Sequence, residues 1–172
     1  MTSAYLAPIS WYRNFRATPA EPIDTNEHYV KQSIRNRCTI AMPDGPAHLI
    51  IPVEAASSHV PIRDIRISEH GQWRHHHWNA LRTAYGKSPF FEYYADDFAP
   101  FYISRTHDYL IDFNAALHEV ICNLIDIHQN VAPLQQRRQP YYQVFAQRLG
   151  FLPDLSIVDL LFNMGPEAIF YL

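Results

Sequence analysis

The chain has 172 residues, of which 48% are apolar and 14% aromatic, and its formal net charge is −3 with histidine neutral. This apolar content is sufficient for a packed core and excludes a disordered chain, while the charge balance argues against a nucleic-acid partner. The sequence contains neither an apolar run as long as a membrane span nor the pattern of a signal peptide. Its five glycines stand apart from one another, which excludes a glycine-rich phosphate loop.

Cys38 and Cys122 are the only cysteines in the sequence. Two cysteines are too few for a zinc ribbon, and they form no C-x-x-C motif. They favour reduced thiols and therefore a cytoplasmic protein. No motif identifies a cofactor, so the sequence predicts none in particular.

Short apolar runs between prolines and polar turns predict extended structure in the N-terminal part. The predicted strands are Tyr5–Ile9, Cys38–Met42, Ala47–Val53 and Ile62–Ser68. A turn or short helix is expected at Trp11–Ala17. The turn chemistry of Pro43–Pro46, with Asp44 and Gly45 at its centre, predicts a β-hairpin.

From Trp73 onward, apolar residues recur every three or four positions, which predicts helices. The predicted helices begin at Trp73, Pro89, Ser104 and Ser156, and the first is expected to end at Gly86. The second should bury Phe90, Tyr93, Tyr94 and Phe98. Ser156 or Asp154 is expected to cap the last helix. Tyr141–Leu149 is compatible with either a strand or a short helix, and polar loops are expected at Thr18–Pro22, Ala55–Val60 and Val131–Pro140.

This order of elements predicts an α/β fold, with a mixed α+β arrangement as the alternative. We expect a small central sheet that includes the hairpin, packed by four or five helices, with a mainly helical C-terminal half. The length favours a single domain over residues 1–172.

His77 belongs to the histidine run of Trp73–Trp78. Successive helical residues are about 100° apart, so three consecutive histidines cannot share one face, and a metal site is not favoured. The spacing of His77 from Trp73 and Leu81 places it on the inward face. It is either a structural, hydrogen-bonded histidine or a general acid or base.

A second group of polar residues lies in His28–Arg37 and contains Lys31, Arg35, Asn36 and Arg37. If this segment is extended, Arg35 and Arg37 share one face. Guanidinium groups there suit a carboxylate or phosphate. The alternative is a solvated, basic edge strand.

Asp159 lies in the apolar stretch Leu155–Met164, with Asn163 one helical turn further on. A carboxylate in such surroundings must reach solvent or a cation from elsewhere in the chain. An arginine from Ile34–Arg37 is the expected partner. The pair is compatible with either a structural or a functional role.

Several ordered motifs resemble those of the WbqC-like protein family. They are Tyr5–Ser10, Tyr29–Cys38, Ile51–Val53, Trp73–Tyr85 followed by Ser88–Tyr94, and Leu155–Gly165. The resemblance extends from Tyr5 to Leu172. The family pattern falls on Lys31, Asn36, Arg37, Trp73, His77, Tyr85, Gln143, Ser156, Asp159 and Asn163.

The resemblance implies a role in bacterial surface-polysaccharide (O-antigen-type) biosynthesis, with transfer of glycine or another small acyl group to an amino sugar as the proposed reaction. His77 would accept the proton from the attacking amine, and Asp159 would orient a cationic or imidazole group. An anionic or sugar substrate would be bound by Lys31, Arg35, Asn36, Arg37, Tyr85 and Asn163.

The alternative is a non-catalytic module that binds an anionic ligand or a partner enzyme. It is motivated by two parts of longer family members that this chain lacks, a His-Gln-Pro-Asn-Tyr-like opening and a segment after the long helix. The two hypotheses predict different arrangements of four residues, Lys31, Arg37, His77 and Asp159. Catalysis requires them to converge on one open pocket, whereas a closed and paired network favours binding.

Overall fold

The computed structural model describes residues 1–18, 22–54, 59–127 and 140–172. Within these ranges the chain forms six α-helices and one two-stranded antiparallel sheet. The helices are α1 (Ile9–Ala17), α2 (Trp73–Tyr85), α3 (Phe91–Ile103), α4 (Leu110–Ile125), α5 (Ala146–Leu149) and α6 (Ile157–Met164), and the strands are β1 (Arg37–Met42) and β2 (Gly45–Ile50). The predicted mixed α/β class with a helical C-terminal half is confirmed.

The β-hairpin forms where the turn chemistry predicts it. Met42 pairs with Gly45, so Pro43 and Asp44 occupy the turn, one residue earlier than expected. Cys38 and Ile40 of β1 are both buried, because alternate residues of a strand point to the same side.

α6 lies at the centre of the core. Every residue from Ile157 to Asn163 is buried, as expected of a helix that is apolar on all sides. The Phe162 ring contacts the rings of Tyr85, Phe91 and Phe98, with centroids 5.1–5.4 Å apart. α2 and α3 therefore pack against α6 through one aromatic cluster.

Two predicted strands are wrong. Tyr5–Ile9 contributes a single bridge between Pro8 and Ser156, because Leu6 has a left-handed φ of 41° and the chain enters α1 at Ile9. Ile62–Ser68 begins as a 3-10 helix over Ile62–Asp64 and then makes isolated bridges only. Apolar alternation over so few residues does not distinguish a strand from a turn that faces the core.

The boundaries of α3 and α4 also differ from the prediction. Ser104 ends α3 instead of beginning the next helix, which starts at Leu110. Tyr93 is 78% exposed, whereas Phe91, Phe98, Phe101 and Tyr102 form the buried side of α3. Of the four residues expected on the buried side, Phe98 is confirmed, Phe90 and Tyr94 are partly buried, and Tyr93 is wrong. The sequence of an aromatic run does not indicate which of its tyrosines meet the core.

The predicted side-chain cap of α6 is absent. Ser156 occupies the N-cap position, but its hydroxyl donates to the Leu6 carbonyl at 2.7 Å. Asp154 interacts with the first turn of α1 instead. The short helix α5 lies within Tyr141–Leu149, whereas most of the three predicted polar loops, at 19–21, 55–58 and 131–139, lies outside the described residues.

No helix in the described part of the chain has the length and apolar character needed to cross a membrane.

Candidate functional site

The segment that contains the basic residues is not extended. Residues 31–36 form successive turns, with Gln32 at a left-handed φ of 54°. Lys31 is exposed, while Arg37 is the first residue of β1. The expected shared face for Arg35 and Arg37 is therefore wrong, because it required extended backbone.

Arg35 forms an ion pair with Glu27, with 2.5 Å between Nη2 and Oε2. Both side chains are buried to a similar degree, 14% and 13% exposed. The Glu27 carboxylate also accepts hydrogen bonds from the Ser3 backbone N–H at 3.0 Å and the Thr2 hydroxyl at 3.1 Å. Arg35 thus has a carboxylate from its own chain, a partner that no local sequence pattern indicated.

Asn36 supports the hairpin. It is 5% exposed, and its side-chain amide donates to the Ile51 carbonyl at 2.9 Å. The Ile51 N–H in turn donates to the Asn36 carbonyl at 2.8 Å. These reciprocal bonds extend the pairing between the two strands beyond Arg37 and Ile50.

His77 lies on the inward face of α2, as its spacing predicts, and is 5% exposed. Its Nδ1 is 2.9 Å from the Tyr5 hydroxyl, which is also 2.9 Å from the Tyr102 hydroxyl. The Trp73 ring packs edge-on against the imidazole, with centroids 5.1 Å apart. These contacts enclose His77 within the core.

Burial lowers the pKa of His77 to about 4, because the desolvated imidazolium is disfavoured. The backbone of Ile50 opposes this shift, while the charges of His76 and Arg74 reinforce it. His77 is consequently neutral at pH 7.

Asp159 is 1% exposed and belongs to a second buried network. Its Oδ2 accepts hydrogen bonds from the Tyr141 hydroxyl at 2.6 Å and from Gln143 Nε2 at 3.0 Å. The expected arginine partner is wrong: two neutral donors from the segment before α5 bind this carboxyl group. They were not predicted because they lie 16 and 18 residues away in a segment without clear periodicity.

Burial is the largest influence on the pKa of Asp159 and raises it above its ordinary value. Hydrogen bonds from Tyr141 and Gln143 oppose this effect, as does the nearby Tyr85 hydroxyl. Oδ1 is buried without a hydrogen bond of normal geometry. The surroundings of Asp159 therefore favour its neutral form more strongly than water does.

Tyr85 and Asn163 also lie inside the fold, 1% and 3% exposed. The Tyr85 hydroxyl accepts a hydrogen bond from the Ala41 N–H at 3.3 Å, and Asn163 donates to the Asp159 carbonyl at 2.8 Å. Both residues thus contact groups of the core and not an open cavity.

Arg37 differs from the other predicted residues because it lines a cavity. This Arg37 cavity has a volume of about 50 Å³ and is lined by Pro8, Ile34, Arg37, Cys38, Thr39, Asp154 and Ser156. The Arg37 Nε is buried without a hydrogen-bond partner. None of the other predicted site residues, catalytic or substrate-binding, lines this cavity.

A larger cavity adjoins it. This Arg13 cavity has a volume of about 190 Å³ and is lined by Ile9, Ser10, Arg13, Tyr141, Phe151, Pro153 and Asp154. Asp154 lies in the wall of both cavities. This site was not predicted from the sequence, because α1 and the segment around Asp154 meet only in the tertiary structure. The one sequence signal was Asp154 as a candidate helix cap.

The residues that the structure describes contain no group of three or more His, Cys, Asp or Glu side chains placed to hold a metal ion. His75 and His76 are exposed while His77 is buried, as the helical geometry of three successive residues requires.

The sequence pattern of the WbqC-like protein family matches residues 22–137, which is well over half of the 172 residues. The chain is also 28% identical over 193 aligned positions to Rv1507c, an uncharacterised protein of Mycobacterium tuberculosis, and the match covers 84% of this chain and 83% of that protein. No solved structure gives a significant match. The chain belongs to the WbqC-like protein family.

Proposed function

We propose that this protein acts in the cytoplasm in bacterial surface-polysaccharide biosynthesis, and that it binds the anionic group of a small-molecule ligand in the Arg37 cavity. The resemblance to the WbqC-like family supports the biological role. The observation that carries the binding role is that Arg37, which forms no ion pair with a described carboxylate and has a buried Nε without a hydrogen-bond partner, lines a cavity.

An unsatisfied, buried N–H group costs about 1–3 kcal/mol relative to one that is hydrogen-bonded. Arg16 and Arg35 each have a buried Nε without a hydrogen-bond partner as well, so this feature alone does not distinguish Arg37. The Arg35 guanidinium is neutralised by Glu27 through Nη2, whereas no carboxylate of the described residues forms an ion pair with Arg37. An anion from outside the chain would supply the missing acceptor and would bind the guanidinium through charge-assisted hydrogen bonds.

The size of the cavity limits what fits. One water needs roughly 10–15 Å³ of such space, so about 50 Å³ admits a single carboxylate or phosphate group and not a whole sugar. The hydroxyl-bearing residues Thr39 and Ser156 also line the cavity. The rest of the ligand would lie outside this space.

The geometry favours binding over the transferase alternative. His77 and Asp159 lie in two separate buried networks and are 5% and 1% exposed. A general base must come within hydrogen-bond distance of the proton that it accepts. An attacking amine would have to displace core side chains to reach His77.

The binding role is tested by isothermal titration with inorganic phosphate, acetate and a nucleotide-linked amino sugar. We expect Arg37→Gln to weaken binding of the preferred anion by roughly tenfold or more, as for loss of a charge-assisted bond, and Arg37→Lys to weaken it less. Arg63→Gln, which changes an exposed arginine, is the matched control. Equal affinity in wild type and Arg37→Gln would contradict the proposal.

The transferase alternative is tested by incubating the protein with activated glycine and nucleotide-linked amino sugars. Product formation that is lost in His77→Gln, with the thermal stability of the variant unchanged, would favour catalysis. Full activity in this variant would exclude His77 as the base. The binding roles of Lys31, Asn36, Tyr85 and Asn163 stay predictions, and Lys31→Gln tests the exposed one of the four directly.

A further inference from the structure

The Arg13 cavity combines two opposite charges with apolar walls. Ile9, Ser10 and Arg13 lie on one face of α1. The facing wall is formed by Tyr141, Phe151, Pro153 and Asp154. The Phe151 and Tyr141 rings meet edge to face, with centroids 5.3 Å apart, and Phe151 is 38% exposed.

Arg13 is held in place but retains donors for a ligand. Its Nε donates to the Tyr171 carbonyl at 2.8 Å, which restrains the guanidinium group. None of the ion pairs among the described residues includes Arg13. The two terminal nitrogens thus remain available to a ligand. Their planar arrangement suits the two oxygens of a carboxylate.

Asp154 supplies the opposite charge. Oδ1 accepts from the Ser10 N–H at 2.7 Å, and Oδ2 accepts from the Ser10 hydroxyl at 2.8 Å. A carboxylate offers about four lone-pair sites, so acceptor capacity remains on both oxygens. Asp154 and Arg13 line one cavity without forming an ion pair with each other.

We propose that the Arg13 cavity binds a free, zwitterionic α-amino acid with an apolar side chain. The α-carboxylate would bind Arg13, the α-ammonium group would bind Asp154, and the side chain would contact Phe151 and Pro153. Both groups of a free amino acid are charged at pH 7. At roughly 10–15 Å³ per water, a volume of about 190 Å³ has space for roughly 13–19 waters, which is enough for one amino acid.

The apolar walls determine which amino acid is preferred. Ile9, Phe151 and Pro153 offer apolar surface that glycine would leave uncovered. A leucine-sized side chain covers it, so leucine should bind more tightly than glycine. The inference stands apart from the proposal for Arg37, because Arg37 does not line this cavity.

Isothermal titration with four related ligands tests the charge requirement: L-leucine, N-acetyl-leucine, leucine amide and glycine. We expect L-leucine to bind. N-acetyl-leucine lacks the ammonium group and leucine amide lacks the carboxylate, so each should bind roughly tenfold or more weakly. Glycine should also bind more weakly. Equal binding of N-acetyl-leucine, or binding of glucosamine but not of leucine, would overturn the proposal.

Three variants then locate the site. Arg13→Gln should abolish leucine binding, and Asp154→Asn should weaken it while an acceptor for Ser10 is retained. Arg148→Gln, an exposed arginine paired with Asp44, is the control and should bind leucine normally. Thermal unfolding of each variant separates a binding defect from loss of the fold.

Arg37→Gln distinguishes this inference from the proposed function. We expect it to lose anion binding and to retain leucine binding. Leucine binding that depends on Arg37 but not on Arg13 would overturn the inference about the Arg13 cavity. Loss of phosphate binding in Arg37→Gln bears only on the proposed function, and leucine binding decides the inference about the Arg13 cavity. The two proposals can therefore fail independently.

Discussion

Asp154 and Ser10 lie 144 residues apart in the sequence, yet both oxygens of the Asp154 carboxylate accept hydrogen bonds from Ser10. α1 begins after Pro8, which makes no side-chain cap hydrogen bond. The Asp154 carboxylate therefore takes the place of a local N-cap, and its negative charge lies at the positive end of the helix. Because Asp154 also lines both cavities, it connects the stability of α1 with the two candidate sites.

Removal of this distant cap should destabilise the protein. We expect Asp154→Ala to lower the free energy of unfolding by about 1 kcal/mol, the usual cost of losing an N-cap side chain. Asp154→Asn should cost less, because the amide oxygen can still accept from the Ser10 N–H. Urea unfolding measures the difference, with Asp96→Ala on the exposed side of α3 as control. Equal effects of the two Asp154 variants would contradict the capping role.

The ion pair of Glu27 and Arg35 should contribute measurably to stability. Both side chains are largely buried, so Glu27→Ala leaves the guanidinium group without its carboxylate, and we expect a loss of about 3 kcal/mol. The double variant with Arg35→Ala should lose less than the sum of the single variants. Asp44→Ala disrupts the exposed pair with Arg148 and should have little effect. Additive losses at Glu27 and Arg35 would argue against direct coupling.

Two histidines should make the fold sensitive to acid: His77, which is buried, and His118 of α4, which is partly buried. Burial lowers the pKa of both His77 and His118 from 6.5 to about 4. The unfolded chain therefore binds more protons between these values, and stability is lost as the pH falls from 6.5 towards 4. We expect a loss of about 1–2 kcal/mol per histidine between pH 7 and pH 5.

The variants His77→Gln and His118→Gln isolate each contribution. Each should show a shallower dependence of unfolding free energy on pH than the wild type in this range, and His70→Gln, at an exposed position, should match the wild type. NMR titration of the His77 ring gives a direct reading. A His77 pKa near 6.5 in the folded protein would show that the ring is open to water.

Asp159 should produce the opposite dependence on pH. Its folded pKa is raised above the ordinary 3.8, chiefly by burial. The folded state then binds more protons, so the contribution of Asp159 to stability decreases as the pH rises through 3.8 towards the folded pKa. Asp159→Asn removes this titration. The stability of this variant relative to the wild type should therefore increase with pH in that range, as measured by urea unfolding at several pH values; a flat difference would contradict the raised pKa.

Gly165 should tolerate alanine less well than Gly71 does. Both glycines have positive φ, 56° and 76°, so either substitution incurs a backbone cost of about 1 kcal/mol. A Cβ at Gly165 would also lie 2.5 Å from Phe90 Cδ1, whereas no atom lies within 4 Å at Gly71. We expect the larger drop in melting temperature for Gly165→Ala. Equal drops would show that the Phe90 ring moves aside at no cost.

Elements with a strong local pattern were predicted correctly. The β-hairpin follows from the turn residues Pro43–Gly45, and α2 from the spacing of Trp73, His77 and Leu81. α6 follows from its apolar run. In each case the information lies within a few residues, because helical and strand periodicity are local properties.

The candidate site was predicted less well, because its polar residues find partners far along the chain. Arg35 and Arg37 are residues of the same type and lie two positions apart in the sequence. Glu27 neutralises the first, and the second borders a cavity without a carboxylate partner. Composition and spacing do not distinguish these two environments, since burial and charge pairing depend on which segments pack together.

The sequence by itself determined the mixed α/β class, the hairpin, the inward orientation of His77 and the family of the chain. Only the tertiary structure decided that His77 and Asp159 belong to separate closed networks, and that Asp154 caps α1 between two cavities. The physical reason is that the periodicity of a helix or strand arises from neighbouring residues. A buried carboxyl group or an open cavity arises from segments that meet only when the chain has folded.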